Sequence, residues 1–84
     1  MKKLNLEQLA NNQVIITDNK GTKTFSSYNT VIAIKKIDGK VSLDAKFWKY
    51  SKTTTKYRNI FLNETTKETE EKIESKEYKL KDLN

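Results

Sequence analysis

One stretch of the chain concentrates hydroxyl groups next to ammonium groups, namely Tyr50-Ser51-Lys52-Thr53-Thr54. If this stretch opens a helix, its free backbone N–H groups and the positive end of the helix dipole would favour a bound phosphate. Ser and Thr are also the standard N-cap residues, and no glycine-rich loop accompanies them here. Helix capping is therefore the alternative that competes with anion binding at this position.

A second group of candidate phosphate ligands lies on and around a predicted β-hairpin. Lysine side chains on an open sheet can contact phosphates while an aromatic ring stacks on a base. The sequence thus predicts a nucleic-acid-binding surface made of Lys35, Lys40, Lys46, Trp48, Lys52 and Arg58. The alternative is a solvated sheet face, or a face that another segment or subunit covers, because Val31 and Ala33 alternate with these lysines.

Catalysis and metal binding are not expected from this composition. The chain has no cysteine and no histidine, so it lacks a thiolate nucleophile, the usual general base near neutral pH and the commonest zinc ligand. Asp18, Asp38 and Asp44 are scattered along the chain, and no pair of carboxylates has a spacing that suits acid–base work or metal binding. We therefore predict no enzyme activity, no catalytic residue, no metal and no cofactor.

Length and charge indicate one small basic domain spanning residues 1–84. A chain of 84 residues that is 35% hydrophobic and 33% charged can bury only a modest core, unless a second subunit covers more surface. Residues 1–62 hold twelve basic and four acidic residues, a net charge of +8, and residues 63–84 hold five and seven, a net charge of −2. The expected partners are a nucleic acid or a host protein, and a homo-oligomer is a further possibility.

The sequence also suggests a compartment. The absence of cysteine fits a reducing cytoplasm. No apolar run approaches the roughly 18 residues of a membrane span, and Asn5, Glu7 and Gln8 interrupt the segment that would have to form a signal-peptide core. We expect a cytoplasmic protein that does not contact a membrane.

The residues that could bind phosphate are positioned by a central hairpin. Asp38-Gly39 separates two apolar-rich runs and predicts a two-residue turn, because both residues tolerate positive φ. In that register Ile34 faces Leu43, and Lys35 faces Ser42. One face of the hairpin is then apolar, and it consists of Ile32, Ile34, Val41, Leu43, Ala45 and Phe47.

The remaining patterns complete an α+β fold. Residues 5–10 predict a short N-terminal helix, residues 14–17 and 22–27 predict two strands, and residues 53–63 predict an amphipathic helix whose apolar residues cover the sheet. A polar C-terminal helix is expected to begin near Thr65 or Thr66, and Glu77–Lys81 is expected to form an edge strand or an extended tail. The predicted fold is a four-stranded antiparallel meander, covered on one face by a helix, with the short N-terminal helix and the polar C-terminal helix.

Two short signatures stand out in the sequence. The first, at residues 27–33, fits S-Y-x-T-x-[IV]-A, and the second, at residues 50–57, fits Y-S-x-T-T-x-[KR] with Phe61 further along the helix. They resemble a family of small uncharacterised proteins carried by bacteriophages and other mobile elements. The similarity spans about residues 13–83, and Lys49 departs from it at a position where an acid is more usual. The resemblance implies a small phage-type accessory protein that binds nucleic acid or inhibits a host or defence protein, and it implies no catalytic mechanism.

Overall fold

The computed structural model describes residues 5–84, which form a six-stranded mixed sheet and two helices. Strands β1 to β5 form an antiparallel meander, and β6 returns after both helices to pair in parallel with β5. A parallel pair needs such a long crossover, which the two helices provide. In chain order the elements are β1 (Asn5–Ala10), β2 (Gln13–Thr17), β3 (Lys23–Ser27), β4 (Thr30–Lys35), β5 (Val41–Asp44), α1 (Lys52–Leu62), α2 (Thr66–Glu74) and β6 (Lys79–Lys81).

The predicted N-terminal helix is wrong, because residues 5–10 form the edge strand β1. Asn11 and Asn12 make a tight turn in which Asn12 adopts a left-handed conformation with φ 64°, a conformation that Asn tolerates better than most residues. This turn lets β1 pair antiparallel with β2. The predicted four-stranded meander is also wrong, since the sheet has six strands and one parallel pair, although the overall class is α+β.

The central hairpin forms between β4 and β5 with a register that differs by one residue from the predicted one. The Gly39 N–H donates to the Lys36 carbonyl oxygen at 2.9 Å, and the Lys36 N–H donates to the Lys40 carbonyl oxygen at 2.9 Å. The loop therefore contains three residues, 37–39, with Gly39 at φ 90°. A three-residue loop that ends in a left-handed glycine is a common alternative to the two-residue turn.

This shift of one residue moves alternate side chains to opposite faces of the sheet. Ala33 pairs with Leu43, whereas Ile34 pairs with Ser42. Ile34 and Leu43 consequently lie on different faces, and the predicted apolar face of the hairpin is wrong. Strand β4 is an interior strand, because β3 and β5 flank it.

The helices cover the sheet face that carries the row Ile15, Phe25, Ala33 and Leu43. The Phe25 ring stacks on the Phe61 ring of α1 with a centroid distance of 5.7 Å, and Ile73 of α2 packs against the same core. The predicted amphipathic helix is thus present as α1, one residue earlier than expected. The buried apolar residues are Ile15, Phe25, Ile32, Ala33, Val41, Leu43, Leu62 and Tyr78.

The opposite face of β1 to β5, called the outer face below, has no helix packed on it within residues 5–84. Side chains alternate along a strand, and the register identifies those on this face. A bulge at Ile32, which no β3 residue opposes, places Val31 on the same face as Ile34. Its centre is the cross-strand row in which Ile16 pairs with Leu6 and Thr24, and Ile34 pairs with Thr24 and Ser42. The outer face consists of Leu6, Gln8, Val14, Ile16, Thr24, Ser26, Val31, Ile34 and Ser42.

Asp44 ties the end of β5 to the closing segment, residues 82–84. Its carboxylate accepts hydrogen bonds from the backbone N–H groups of Lys46, Phe47 and Leu83 and from the Asn84 side-chain amide, at 2.8 to 3.1 Å. Burial opposes ionisation of Asp44, but these hydrogen bonds outweigh it and lower its pKa below the usual value. Neither helix among the described residues is long and apolar enough to cross a membrane.

Candidate functional site

A basic concavity lies along one side of α1. Lys52 and Lys56 are one helical turn apart, and Asn59 follows at the next turn, so the three side chains project from the same face. The concavity is open and has a volume of about 730 Å³. It is called the α1 basin below, and it is lined by Lys49, Ser51, Lys52, Thr55, Lys56 and Asn59.

The α1 basin carries positive charge and hydroxyl groups, and no carboxylate is among its six lining residues. Lys49 forms an ion pair with Glu70 of α2 at 3.3 Å, in which both side chains are about half exposed (49% and 48%). An exposed pair of this kind is weak and easily exchanged for another anion. The Lys52 and Lys56 side chains are exposed at the surface. Two or three ammonium groups are therefore available to an approaching anion.

Ser51 caps α1, as the alternative reading of this stretch predicts. Its hydroxyl accepts a hydrogen bond from the Thr54 N–H at 3.1 Å and lies 3.2 Å from the Thr54 hydroxyl. Thr54 in turn is fully buried and lies 2.9 Å from the Ser27 hydroxyl of β3. These contacts fix the first turn of α1 against the sheet. They set the direction in which Lys52 and the rest of the basin point.

Arg58, one of the predicted nucleic-acid contacts, lies in the interior and is 0% exposed. Its guanidinium donates to the Trp48 carbonyl oxygen at 2.6 Å, and to the Asn59 and Thr66 side-chain oxygens at 2.9 Å each. Burial lowers the pKa of Arg58, while the charges of Glu64 and Glu70 act in the opposite direction. In this structure Arg58 joins the turn after β5 to both helices and presents no surface to a ligand.

Trp48, another predicted contact, is half-buried and already has cations near its ring. The Arg58 guanidinium carbon lies 5.0 Å from the ring centroid, and the Lys49 ammonium lies 4.9 Å from it. Both distances are typical of cation–π contacts. Trp48 therefore packs beneath the edge of the α1 basin, where it supports Lys49.

The three hairpin lysines are not brought together. Lys40 follows the hairpin loop and Lys46 lies in the turn after β5, so the length of β5 separates them. Lys35 pairs with Lys23 at the far end of the helix-covered face, in a small concavity beside Phe61. Of the six predicted site residues, only Lys52 lines the α1 basin.

The six predicted contacts do not include Lys49, Lys56 and Asn59, which line the α1 basin. Lys52, Lys56 and Asn59 recur at intervals of four and three residues, which places them on one helix face. Ser51, Thr54 and Arg58 belong to the same segment, and Thr54, Arg58 and Leu62 repeat every four residues on the buried side. These two repeats together predict a buried Arg58 and an exposed Lys56.

Comparison with known proteins gives one result. A model for a family of unknown function, DUF8033, matches residues 4–78. The chain belongs to this family. Searches of the curated proteins and of the solved structures give no match.

Other polar clusters in the DUF8033 chain are interior. The Glu64 carboxylate accepts hydrogen bonds from Lys72, Thr69 and Tyr78, and its side chain is only 3% exposed. Burial opposes its ionisation, but the three hydrogen bonds lower the pKa of Glu64 below the usual value. Burial and the neighbouring Glu64 raise the pKa of Tyr78 to about 12. No group of three or more potential metal-ligating side chains lies close together within residues 5–84.

Gln13 presents a different kind of buried polar group. It is 0% exposed on the helix-covered face of β2, in register with Ser27. Among the described residues neither its amide nitrogen nor its amide oxygen has a hydrogen-bond partner. Burying an amide without partners costs about 1 to 3 kcal/mol. The buried Gln13 amide therefore lowers the stability of the fold.

Proposed function

We propose that the protein binds nucleic acid, with the α1 basin as the surface that contacts the phosphate backbone. The observation that carries this proposal is the convergence of Lys49, Lys52 and Lys56 with two hydroxyl side chains and one amide in one concavity. Lysine, serine, threonine and asparagine are the residues that contact phosphates in nucleic-acid complexes. The net charge of +6 adds long-range attraction for a polyanion.

The shape of the basin favours a polymer over a small enclosed ligand. The concavity is wide and open, whereas a pocket for a small molecule usually encloses most of its ligand. Lys52 and Lys56 are separated by about 6 Å along the helix axis, so they can contact successive groups of an extended anion. The lining offers ammonium, hydroxyl and amide groups that suit phosphate contacts, which favours binding with little sequence preference.

The test is a titration of a labelled mixed-sequence oligonucleotide, followed by fluorescence anisotropy at several salt concentrations. Binding through phosphates should weaken steeply as salt rises from about 50 to 200 mM. The double variant Lys52→Gln/Lys56→Gln should lower the slope of log affinity against log salt by about 2. Both a single strand and a duplex are titrated, because the basin alone does not choose between them.

The matched control is Lys20→Gln/Lys67→Gln, which removes the same two charges from exposed positions outside the basin. This control should keep the wild-type slope. If both double variants lose affinity equally, net charge and not the basin is responsible. The absence of binding at about 50 mM salt would reject the nucleic-acid role.

A protein-binding role is the second candidate, including inhibition of a host or defence protein. It is favoured by the outer face, which is rich in apolar residues and which no described helix covers. Uncovered apolar surfaces of this kind commonly mark protein interfaces. A chain that leaves every oligonucleotide unbound at low salt would favour this role over the first.

We further propose a bacteriophage or mobile-element setting, and a role that requires no catalysis. The setting is supported by the two short motifs at residues 27–33 and 50–57. Gene neighbourhoods of DUF8033 members provide the test. Consistent placement among housekeeping genes would contradict the proposed setting.

A further inference from the structure

We propose that the outer face is the interface of a symmetric dimer, and that its occupant is a second copy of this chain. This proposal concerns a surface on the opposite side of the sheet from the α1 basin. It does not depend on nucleic-acid binding.

The outer face is unusual because, apart from the buried Asp44 at the end of β5, it carries no charged strand residue across five strands. One third of the chain is charged, and the solvent side of a half-covered antiparallel sheet is normally polar. Five of the nine outer-face residues are nevertheless aliphatic: Leu6, Val14, Ile16, Val31 and Ile34. The other four are neutral hydroxyl or amide residues.

The nearest charged residues on this side of the sheet lie at its edges. Asp44 lies at one corner of the same side, where it is 1% exposed and hydrogen-bonded to the closing segment. Lys79 and Lys81 lie on β6, which continues the sheet beyond β5. At the hairpin end of the same side, Lys36 and Lys40 face each other two residues beyond the Ile34–Ser42 pair. The charged side chains of this side therefore lie around its uncharged centre, as at the rim of a protein interface.

Electrostatics favours a second copy over the alternatives. A nucleic acid requires cations, and the outer face provides none. A charged protein partner would find no complementary charge there. Two copies of this chain repel each other through a net charge of +6 each, but they can meet on the outer face without placing like charges against one another. A face without charge is also complementary to itself, as a two-fold interface must be.

The area of the outer face approaches that of a small stable interface. Five strands about 4.8 Å apart, each about 17 Å long, give a face of about 400 Å² in projection. Two such faces remove about 800 Å² even when counted as flat, and side-chain relief increases the accessible area above its projection. The pair therefore comes close to the roughly 1,200 Å² at which stable interfaces begin.

Because the core is small, the folded chain should gain stability when a second copy covers the outer face. Eight apolar residues are buried within the described part of the chain, and the interior also holds the unpartnered Gln13 amide. A second copy of the chain is present wherever the chain is made, so it can cover the outer face from synthesis onward. Packing two sheets face to face at about 10 Å would bury Ile16 and Ile34 from both sides.

The experiment measures the solution mass of the full chain by light scattering and by sedimentation over a range of concentrations. The wild type should have the mass of two chains. Thr24→Lys, at the centre of the outer face, should weaken the dimer by about 100-fold or more, because it buries two like charges. Ile60→Lys adds the same charge at an exposed position of α1 and should leave the dimer intact.

A second variant keeps the proposal testable if Thr24→Lys fails to fold. Leu6 is 63% exposed in the single chain, so Leu6→Lys should preserve the monomer fold and still disrupt the dimer. Circular dichroism and thermal unfolding of each variant show whether it is folded. A folded Leu6→Lys or Thr24→Lys variant with monomer mass supports the proposal.

Two results would overturn it. A wild-type chain that remains monomeric at every concentration would show that no second copy occupies the outer face, and would leave that face to a different protein. A dimer that survives both Thr24→Lys and Leu6→Lys would place the contact elsewhere. Neither result depends on the oligonucleotide titration, so failure of the dimer and failure of nucleic-acid binding are distinguishable.

Discussion

At the scale of single residues, the most informative position is Arg58, the only arginine in the chain. The predicted nucleic-acid contacts include Arg58, although a charge on a helix usually just faces water. The structure instead uses the planar guanidinium to satisfy three oxygen atoms in three different segments. Its spacing of four residues from the buried Thr54 and Leu62 is the sequence signal that would have revealed this role.

Substitution of Arg58 by lysine should therefore reduce stability. A lysine keeps the positive charge but cannot reach all three oxygen atoms, so buried acceptors lose their partners. We expect Arg58→Lys to lower the free energy of unfolding by about 2 to 4 kcal/mol, measured by urea denaturation. The inverse control, Lys56→Arg on the exposed side of α1, should change the free energy of unfolding by less than about 0.5 kcal/mol. Equal effects at the two positions would contradict this role for Arg58.

At the scale of elements, local signals were sufficient for the helices and insufficient for the sheet. Ser51 and Thr65 are N-caps as predicted, because a cap depends on residues within one turn. Strand β1 was missed because six residues with Leu6, Leu9 and Ala10 fit a helical period, while its pairing with β2 depends on a turn and a distant partner. Only cross-strand contacts could decide between the two.

A shift of one residue in the register of the central hairpin changes which side chains share a face of the sheet. Asp38-Gly39 indicates a turn, but it fits both a two-residue loop and the three-residue loop that forms. The candidate site depended on this choice, because the predicted lysine surface was read from the wrong register. In the structure the α1 basin and the outer face take its place, and neither could be defined without the tertiary arrangement of sheet and helix.

Helix α2 has Thr69 as its only fully buried residue. Its stability should therefore depend strongly on how its first turn is capped. Its start is held by a capping box in which Thr65 and Glu68 exchange hydrogen bonds at 3.0 and 3.1 Å. Thr65→Ala should therefore accelerate amide hydrogen exchange within α2 by about 5-fold, equivalent to about 1 kcal/mol. Thr53→Ala, the same change at an exposed position of α1, should leave α2 exchange unchanged, and an unchanged rate in Thr65→Ala itself would show that the box contributes nothing.

At the scale of the whole molecule, the sheet separates two surfaces of different chemistry. The α1 basin is basic and lies on the helix-covered side, whereas the outer face is uncharged and lies on the other side. A dimer through the outer face would therefore direct two basins outward, away from each other. Two such basins could contact separate stretches of one nucleic acid, which would raise its apparent affinity without any new contact.

The same architecture makes stability depend on two carboxylates that join distant segments. Asp44 connects β5 to the closing segment, and Glu64 connects the start of α2 to Lys72 and Tyr78. Folding lowers both pKa values despite burial, because hydrogen bonds favour the ionised form. Their contribution is therefore fully present above the unfolded values of about 4, and is lost as pH falls through that range to the folded values. Each unit of lowering contributes about 1.4 kcal/mol.

We therefore expect the urea midpoint of the wild type to decrease from pH 6 to pH 3, with the steepest loss below about pH 4. Asp44→Asn should be less stable than the wild type at pH 6, and its stability should depend less on pH, because one linked carboxylate is gone. Glu74→Gln, which removes a carboxylate exposed on α2, should retain the steep wild-type profile. A wild-type midpoint that stays constant down to pH 3 would mean that neither carboxylate is stabilised by folding. The two hydrogen-bond clusters would then be consequences of the fold, and the apolar core alone would hold the closing segment and α2 in place.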